Sequence, residues 1–311
     1  MRITQPAFLG NGASLKGALH SHSTRSDGRD TPEEVLRKYR ENGFDFVSLT
    51  DHRIYNFKNF APDTNLTIIP GMEYDMNLSE RDGFRCFHVV CIGDAEGNGF
   101  TQDQRFESAA VADQFAAQPY LDYIHANNNM TIYCHPEWSG TPARYFDQMR
   151  GNFAMEIWNS GCAMVNDMDT NAACWDELLF SGQKIFGVAT DDGHSMAHHA
   201  KGWVTVNAEN NVTAILSALR AGAFYSSCGP KFFDFSVEDG FVFVKCSPVK
   251  RLKLVSMCHP TYMQEGENIT EAKIEIGNRL SQYRYLRIEI MDDAGRRAWT
   301  NPIFIDKDIR I

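Results

Sequence analysis

Six of the ten histidines in this 311-residue chain occur in short clusters with carboxylates, and most clusters directly follow an apolar run typical of a β-strand. The clusters are spread over about 175 residues, so no single local element accounts for them. Imidazole and carboxylate groups are common ligands of divalent metal ions. The repeated order of strand and then ligand predicts a metal site at one mouth of a barrel. The clusters are Ala18–His22 with Asp27, Thr50–His52, Glu73, His88, His135–Glu137 and Thr190–His194.

Two clusters repeat a spacing that places side chains on one face of an extended chain. One residue separates His20 from His22, and one separates Asp192 from His194, so each pair points to one side of a strand. Asp27 follows in a turn-forming segment that can return its carboxylate to the first pair. This mixture of ligands favours Zn²⁺, Mn²⁺ or Fe²⁺ over Mg²⁺ or Ca²⁺, which prefer all-oxygen shells. The number of ligands fits two or three ions that share a bridging carboxylate.

Each histidine taken alone also has an ordinary structural interpretation. His125, on a predicted helix, and His259, in the C-terminal region, are expected to be structural or exposed. His88 alone is as compatible with a satisfied core histidine as with a ligand. For His198 and His199, near the predicted site, a substrate contact and a surface position both stay open. The complete set favours metal binding, because a coincidence would have to recur at five or six strand ends.

The first predicted helix carries clear start and stop signals. Thr31 has the position of an N-cap, Pro32 is the first helical residue, and Glu34 completes a capping box. Gly43 is a natural C-terminal stop. Residues 44–50 then form a predicted strand that leads directly into the cluster around His52.

Up to about Tyr225, strands and helices alternate, which predicts an α/β fold with a parallel sheet. Functional residues at the carboxyl ends of strands favour a closed barrel. An open doubly wound sheet is the alternative, but no glycine-rich phosphate fingerprint supports it. A helix is expected over about 104–127, interrupted or ended near Pro119, and another runs from an N-cap at Asn211 to Arg220. Further strands are predicted at 66–70, 86–92, 130–134, 153–158 and 184–189.

Beyond the barrel region the pattern contains strands alone, which predicts a small all-β sandwich domain. A hairpin turn at Asp239-Gly240 joins the first two strands. The boundary is expected near Cys228–Pro230, which divides the chain into a metal-binding barrel at 1–228 and a β-sandwich at 229–311. The six strands are predicted at 232–237, 241–246, 252–257, 272–276, 285–291 and 298–305.

Composition predicts an ordinary globular chain, with 43% apolar and 23% charged residues. The formal charge of −10 argues against non-specific binding of nucleic acid, which requires Lys and Arg to replace phosphate counterions. The first residues lack the apolar segment of a secretory signal, and no apolar run is long enough for a transmembrane helix. The eight cysteines form no C-x-x-C pair, so reduced thiols in the cytoplasm are expected.

The order of the motifs resembles the PHP (polymerase and histidinol phosphatase) superfamily of metal-dependent phosphoesterases, over about residues 15–225. The β-rich tail with Ala298–Ile303 is similar to the CehA/McbA-type branch of that superfamily. The motifs that carry the resemblance are Leu19–Ser23 with Ser26–Gly28, Leu49–His52, Pro70–Glu73, His88, Cys134–Pro136 and Asp192–His194.

The resemblance implies a distorted (β/α)₇ barrel with a trinuclear metal site at its carboxyl-terminal mouth. Glu73 or Asp27 would bridge ions, and Asp51 would orient a ligand or a substrate water. The D-x-H spacing favours Asp192 over its neighbour Asp191 as a ligand. The implied ligands are His20, His22, Asp27, His52, Glu73, His88, His135, Asp192 and His194.

These features predict a metal-dependent hydrolase, most simply a phosphoesterase that attacks a small phosphorylated metabolite with a metal-bound hydroxide. Asp51 and His194 are the candidate catalytic residues, with His194 protonating the leaving group, and Arg25 and His198 are the candidate substrate contacts. Two or three Mn, Zn or Fe ions are the expected cofactors. Hydrolysis of a carboxylic ester, amide or carbamate, or a non-catalytic metal- or ligand-binding module, are the alternatives. No nucleic acid or membrane is expected as a partner, and the oligomeric state stays open.

Overall fold

The computed structural model describes residues 2–10, 12–78, 85–94, 98–146, 148–168, 171–257 and 260–305, so His259 lies outside the described residues. The described part of the chain has a mixed α/β fold. Its helices are α1 (Pro32–Glu41), α2 (Gln114–Ala126), α3 (Ala143–Phe146), α4 (Ser160–Asn166), α5 (Ala172–Phe180) and α6 (Val212–Arg220). Its strands are β1 (Ile3–Thr4), β2 (Ala13–Ala18), β3 (Phe46–Val47), β4 (Thr67–Ile68), β5 (Gly71–Leu78), β6 (Cys86–Gly93), β7 (Ala109–Val111), β8 (Asn129–Tyr133), β9 (Asn152–Asn159), β10 (Phe186–Thr190), β11 (Trp203–Ala208), β12 (Phe224–Ser227), β13 (Phe232–Glu238), β14 (Phe241–Val255), β15 (Pro260–Glu275), β16 (Tyr285–Met291), β17 (Arg297–Thr300) and β18 (Ile303–Phe304).

Hydrogen-bonded pairing assigns these strands to two sheets. A twelve-stranded sheet has the order β1-β13-β14-β16-β17-β12-β11-β2-β3-β4, with β15 beside β14 and β18 beside β16. A six-stranded sheet has the order β10-β9-β8-β6-β5-β7. Parallel pairing occurs in β2-β3-β4 and in β8-β9-β10, but β6 is antiparallel to both β5 and β8. The prediction of a parallel sheet throughout is therefore wrong.

The two sheets meet at the end that carries the histidine clusters. Isolated β-bridges join Ser21 to Gly193 and His52 to Glu73, and each bridge links one sheet to the other. Among the described strands, no continuous ladder closes the two sheets on each other. Strand pairing therefore does not confirm a closed barrel, although it brings the predicted ligand segments to one edge.

The first helix is confirmed together with its capping box. The Thr31 side chain accepts from the backbone N–H of Glu34, whose carboxylate accepts from the backbone N–H of Thr31 at 2.8 Å. Gly43 has φ +75°, a conformation that favours glycine after a helix. The buried face of α1 includes Tyr39, which packs into an apolar cluster with residues of β2 and β3. This packing places the Tyr39 hydroxyl beneath the histidine clusters.

The second predicted helix is shorter than expected and is not interrupted. Asp113 caps α2, and Pro119 lies inside it without ending it, although a proline removes one backbone hydrogen bond. Buried contacts of residues such as Leu121 hold this helix against a core cluster. The expected start near Gln104 is wrong because that segment pairs with the chain after β3, where Tyr55 donates its N–H to the Gln104 carbonyl at 2.9 Å.

The C-terminal region is rich in strands, as predicted, but strand pairing does not separate it from the rest. The strands predicted at 241–246 and 252–257 form the single strand β14, which pairs with β15. β17 pairs with β12, so the C-terminal strands extend the twelve-stranded sheet. They still bury an apolar core of their own, which includes Phe235, Leu254 and Ile288. Pairing therefore confirms the β-rich region and does not confirm a separate sandwich.

The remaining composition-based expectations concern membranes and thiols. No helix in the described ranges combines the length and the apolar character that a membrane crossing needs. The cysteines that the structure describes are free thiols, and most of them are buried. Cys258 falls outside the described residues.

Candidate metal centre

All nine predicted ligands converge at the edge where the two sheets meet, and each one offers a side-chain atom to a compact group of histidines and carboxylates. Their positions follow from the strand order, because β2, β3, β8 and β10 deliver ligands in the residues just after they end. His20 and His22 follow β2, Asp27 lies in the turn beyond them, His52 follows β3, Glu73 lies in β5, His88 lies in β6, His135 follows β8, and Asp192 and His194 follow β10.

Backbone hydrogen bonds hold the first and last ligand segments together. The N–H of His22 donates to the Gly193 carbonyl at 3.0 Å, and the N–H of Asp192 donates to the His20 carbonyl at 3.1 Å. These bonds fix the register between two segments that lie far apart in the sequence. The imidazoles of His20 and His22 therefore share a face with the Asp192 carboxylate, as the alternating spacing predicted.

The innermost group consists of His20, His22, Glu73 and Asp192, all buried. The two histidines face each other with their Nε2 atoms 3.1 Å apart. Glu73 Oε2 lies 3.2 Å from His20 Nε2 and 3.0 Å from His22 Nε2. Asp192 Oδ1 lies 3.4 Å and 3.1 Å from the same two nitrogens. Four potential ligand atoms thus surround one small volume.

Glu73 connects this inner group to a second one. Its Oε1 lies 2.9 Å from His88 Nδ1 and 3.3 Å from His135 Nε2. Its Oε2 also lies 3.4 Å from His52 Nδ1. Glu73 therefore belongs to three of the groups that could hold an ion, which is the arrangement expected of a bridging carboxylate.

A third group lies toward the solvent, around Asp27. The Asp27 carboxylate lies 3.4 Å from His194 Nε2 and 3.5 Å from both His52 Nε2 and His22 Nδ1. Asp27 is the most exposed of the nine, with 55% of its side chain accessible. This group is therefore the part of the cluster that solvent can reach.

Two features of these atoms fit divalent ions. Two atoms that bind one ion at about 2.1 Å lie roughly 3.0–3.4 Å apart in octahedral or tetrahedral geometry, which matches the spacings around Glu73 Oε2. Glu73 Oε2 and His52 Nδ1 are buried and have no hydrogen-bond partner among the described residues. A buried polar atom without a partner is costly. An ion at this position would satisfy both atoms, so the donor set suits Zn²⁺, Mn²⁺ or Fe²⁺.

The electrostatics of the cluster reflect its density of opposite charges. Burial opposes protonation of His22, but the close contacts with the Asp192 and Glu73 carboxylates outweigh it and raise the pKa of His22 to about 10. Burial would raise the pKa of Glu73, yet the facing histidines, His52 first, hold it well below its usual range. The same lone pairs that favour protons here also favour metal ions, because the two compete for imidazole nitrogens and carboxylate oxygens.

The structure distinguishes Asp192 from Asp191. Asp192 faces the histidines, whereas Asp191 turns away and accepts from Tyr39 Oη at 2.8 Å. Asp191 also accepts backbone N–H groups from residues 200–202. Burial raises the pKa of Asp191, against these hydrogen bonds. Asp191 therefore anchors the loop that follows β10, and Asp192 is the member of the pair that points at the cluster.

The other predicted site residues occupy three different positions. Asp51 is buried, and its carboxylate accepts hydrogen bonds from Ser23 and Ser26. These bonds stabilise the turn that leads to Asp27. Arg25 pairs with Asp103 and does not line the cavity that lies over the ligand cluster. It lines an adjacent cavity of about 420 Å³. Asp27, His52 and His88 line both cavities.

A cavity of about 380 Å³ lies directly over the ligand cluster. His198 lines it, as predicted, whereas His199 is buried against Tyr39. Arg29 also lines it and was missed by the sequence analysis, although it follows the first motif by only two residues. Glu156 in β9 was missed as well and contacts His20 Nδ1 at 2.6 Å. A charged residue inside the apolar run 153–158 was the available signal for Glu156.

Comparison with known proteins agrees with this arrangement. Residues 18–132 match the model of the PHP domain family. A two-domain protein from Bacteroides vulgatus ATCC 8482, described as containing a predicted PHP-like metal-dependent phosphoesterase, has a TM-score of 0.51 at 16% identity, over 93% of this chain and 95% of that chain. At this identity the match shows a shared fold.

Two further solved structures resemble the chain more weakly. A proposed metal-dependent phosphoesterase from Bifidobacterium adolescentis ATCC 15703 has a TM-score of 0.42 at 11% identity, over 59% of this chain and 89% of that one. An amidohydrolase from Chromobacterium violaceum, with bound sulfate and no metal, has a TM-score of 0.39 at 15% identity, over 58% and 87%. No curated protein matches the sequence. The segment 18–132, which matches the PHP domain family, carries six of the nine residues of the ligand cluster.

Proposed function

We propose that the chain is a metal-dependent hydrolase that acts on a phosphate ester of a small molecule. The observation that supports this most strongly is the convergence of the nine predicted ligands into adjoining groups, in which six of them share a group with Glu73. The buried Oε2 of Glu73 has no hydrogen-bond partner among the described residues. We propose that these residues hold two or three Mn²⁺, Zn²⁺ or Fe²⁺ ions, with Glu73 as the bridging carboxylate.

Divalent ions in this position would lower the pKa of a coordinated water and neutralise negative charge on a phosphoryl group. The residues above the cluster suit the same substrate. Arg29 is exposed at the cavity and brings a guanidinium, which matches phosphate oxygens. His198 Nδ1 accepts from the backbone N–H of His194 at 3.4 Å, so the neutral ring carries its proton on Nε2. We assign substrate binding to Arg29 and His198.

Two of the sequence-predicted roles are kept here in modified form. Asp51 is proposed to orient the turn that carries Asp27, because the hydrogen bonds of its carboxylate come from that turn. Arg25 is proposed to contact a part of the substrate that extends into the adjacent cavity. His194 stays the proposed proton donor to the leaving group, since it borders the cavity and is only partly buried.

The wider architecture of the chain is also part of the proposal. We propose that the two sheets form opposite walls of a distorted (β/α)₇ barrel, since isolated bridges connect them at the ligand edge. A boundary near residue 228 and a β-rich domain at 229–311, of the CehA/McbA type, are supported by the separate apolar core of the C-terminal strands. Free thiols suit the proposed cytoplasmic location.

The experiment is a substrate panel on protein loaded with each of the three metals. Hydrolysis of p-nitrophenyl phosphate or its diester that disappears on chelation and returns with Mn²⁺, Zn²⁺ or Fe²⁺ would support the proposal. Activity on naphthyl acetates or carbamates, with none on phosphates, would replace it by an ester, amide or carbamate hydrolase. Metal binding without turnover across the panel would favour a non-catalytic module.

A further inference from the structure

Glu156 lies on the interior side of the ligand cluster, in the middle of β9, and is fully buried. Its Oε1 accepts from His20 Nδ1 and from the Thr190 hydroxyl, both at 2.6 Å. Its Oε2 accepts from the backbone N–H of His135 at 2.9 Å and from Asn159 Nδ2 at 2.8 Å. Each carboxylate oxygen thus receives two hydrogen bonds, which saturates the acceptor sites that a carboxylate offers.

We infer that Glu156 is a positioning residue that pre-organises the metal centre, an inference that rests on the proposed metal-dependent function. The Cys134 sulfur and a His20 ring nitrogen lie close enough to Glu156 to form a ligand group with it. However, the lone pairs of the Glu156 carboxylate already accept from four donors. The nearby Cys134 donates its thiol to the Ile132 carbonyl and is buried. Glu156 therefore acts through the ligands and not as one of them.

The bond to His20 decides which ring nitrogen can bind an ion. Because Nδ1 is held against Glu156, a neutral His20 ring keeps its proton on Nδ1 and presents the Nε2 lone pair to Glu73 and Asp192. A carboxylate behind a ligand histidine fixes the tautomer and ring orientation and raises the basicity of the ligating nitrogen. Glu156 supplies this arrangement for the innermost ligand.

Glu156 also holds two further ligand segments. The backbone of His135 has φ +27°, a conformation rare for residues with a side chain, and its N–H donates to Glu156. Asn159 Nδ2 lies 2.8 Å from Glu156 and 3.1 Å from Asp192 Oδ2, so it links the two carboxylates. One side chain therefore fixes three ligands that arrive from three different strands.

Replacing Glu156 by glutamine removes the negative charge and alters the hydrogen bonding, while the volume of the side chain stays nearly the same. In Glu156→Gln, one oxygen becomes an NH₂ group that must face two donors, while the shape of the side chain is kept. Asp176→Asn is the matched control, because Asp176 is also a buried carboxylate that accepts short hydrogen bonds, from Arg287 and Tyr285, and takes no part in the ligand cluster. Both variants lose a buried charge, and only the first loses support of the ligands.

The test compares metal binding by the full-length chain after chelation and reconstitution. Dissociation constants for Mn²⁺ and Zn²⁺, the visible absorption of the Co²⁺-loaded protein and the thermal midpoint are measured for wild type and both variants. We expect Glu156→Gln to bind metal about 10–100-fold more weakly and to change the Co²⁺ spectrum. We expect Asp176→Asn to lower the thermal midpoint and leave both metal readouts unchanged.

The outcomes separate this inference from the proposed function. If wild type binds no metal, the metal centre itself is refuted, and this inference falls with it. If wild type binds metal and Glu156→Gln binds it equally well with the same Co²⁺ spectrum, the inference alone is refuted. If Glu156→Gln does not fold, Thr190→Val decides, because it removes one donor to Oε1 at nearly constant volume. We expect about tenfold weaker metal binding from it, and an unchanged affinity would refute the inference.

Discussion

The imidazole rings of His22 and His194 stack with their centroids 4.2 Å apart and an interplanar angle of 20°. The two residues come from loops after β2 and β10, and both rings contact Asp27. Both rings and the Asp27 carboxylate belong to one group that could hold a metal ion. Asp27 and His194 also line the cavity of about 380 Å³ over the cluster, so the stack lies at the wall of that cavity.

Removal of the Arg29 guanidinium is expected to weaken substrate binding without affecting metal content. A hydrogen bond to a charged group contributes about 1.5–3 kcal/mol, so Arg29→Ala should lower kcat/KM for a phosphate ester by about 10–100-fold. Arg37→Ala is the control, since Arg37 is an exposed arginine that pairs with Asp63 at 2.6 Å. Equal kcat/KM for wild type and Arg29→Ala would show that Arg29 does not bind the substrate.

Asp51 is expected to act on the metal centre through the turn that it braces. Its carboxylate accepts from the N–H and hydroxyl groups of Ser23 and Ser26, so Asp51→Asn places an amide donor against other donors. We expect a loss of about 1–3 kcal/mol in unfolding free energy and about tenfold weaker metal binding. Asp45→Asn is the control, because Asp45 accepts from the backbone N–H of Lys16 away from the cluster. Unchanged metal affinity in Asp51→Asn would contradict the orienting role.

The buried pair of Asp176 and Arg287 connects α5 to the C-terminal strands, with Arg287 Nε donating to Asp176 Oδ1 at 2.7 Å. Arg287→Met leaves the Asp176 carboxylate buried without its cation, which should cost about 3–5 kcal/mol of unfolding free energy. The double variant Asp176→Leu with Arg287→Met should recover most of that loss, because neither partner is then left charged. Urea unfolding of the three proteins measures both effects. A single variant as stable as wild type would show that the pair does not hold the C-terminal strands to α5.

In the metal-free protein, His199 is expected to make the unfolding free energy decrease as the pH falls. Burial, and then the positive charge of His22, lower the pKa of His199 to about 3, against about 6.5 in an unfolded chain. Between about pH 3 and pH 6.5 the His199 ring is protonated in the unfolded chain and neutral in the folded one. The contribution of His199 to the unfolding free energy is therefore complete above about pH 6.5 and falls by about 1.4 kcal/mol for each pH unit below that value.

The difference in unfolding free energy between wild type and His199→Asn isolates this contribution, because other titrating groups are common to both proteins. Urea unfolding at pH 7.0, 6.0 and 5.0 should show wild type losing stability faster than the variant as the pH falls. Parallel pH profiles for the two proteins would show that His199 already takes up a proton in the folded state.

Most of the ligand set could be predicted from local signals, whereas His88, which is ambiguous by itself, was included through the family resemblance. The alternation of His20 and His22 and the turn before Asp27 can be recognised without knowledge of the fold. Glu156 has a weaker signal, a charged residue inside the apolar run 153–158, and its partner His20, 136 residues away, could not be predicted from that signal. Arg25 shows the opposite case: its place beside the first motif suggested a substrate contact, but Asp103, which lies far along the chain, pairs with its guanidinium.

The limits of the fold prediction also have physical causes. The strands predicted at 241–246 and 252–257 form one strand, because β14 continues through Pro248, where the pairing with β15 is irregular and a bulge tolerates a proline. The pairing of β17 with β12 depends on contacts across the whole chain and carries no signal in either segment. Capping signals such as Thr31 located α1 correctly because they act within one turn.

The central claim, that the convergent histidines and carboxylates bind divalent ions, is tested most directly by elemental analysis of the purified protein. After incubation with Mn²⁺, Zn²⁺ or Fe²⁺ and desalting, wild type should retain about two or three equivalents per chain. His22→Ala, which loses a ligand shared by two groups, should retain fewer, whereas His125→Ala, whose ring contacts Thr131 outside the cluster, should match wild type. Less than about one tenth of an equivalent in wild type with every metal would contradict the account.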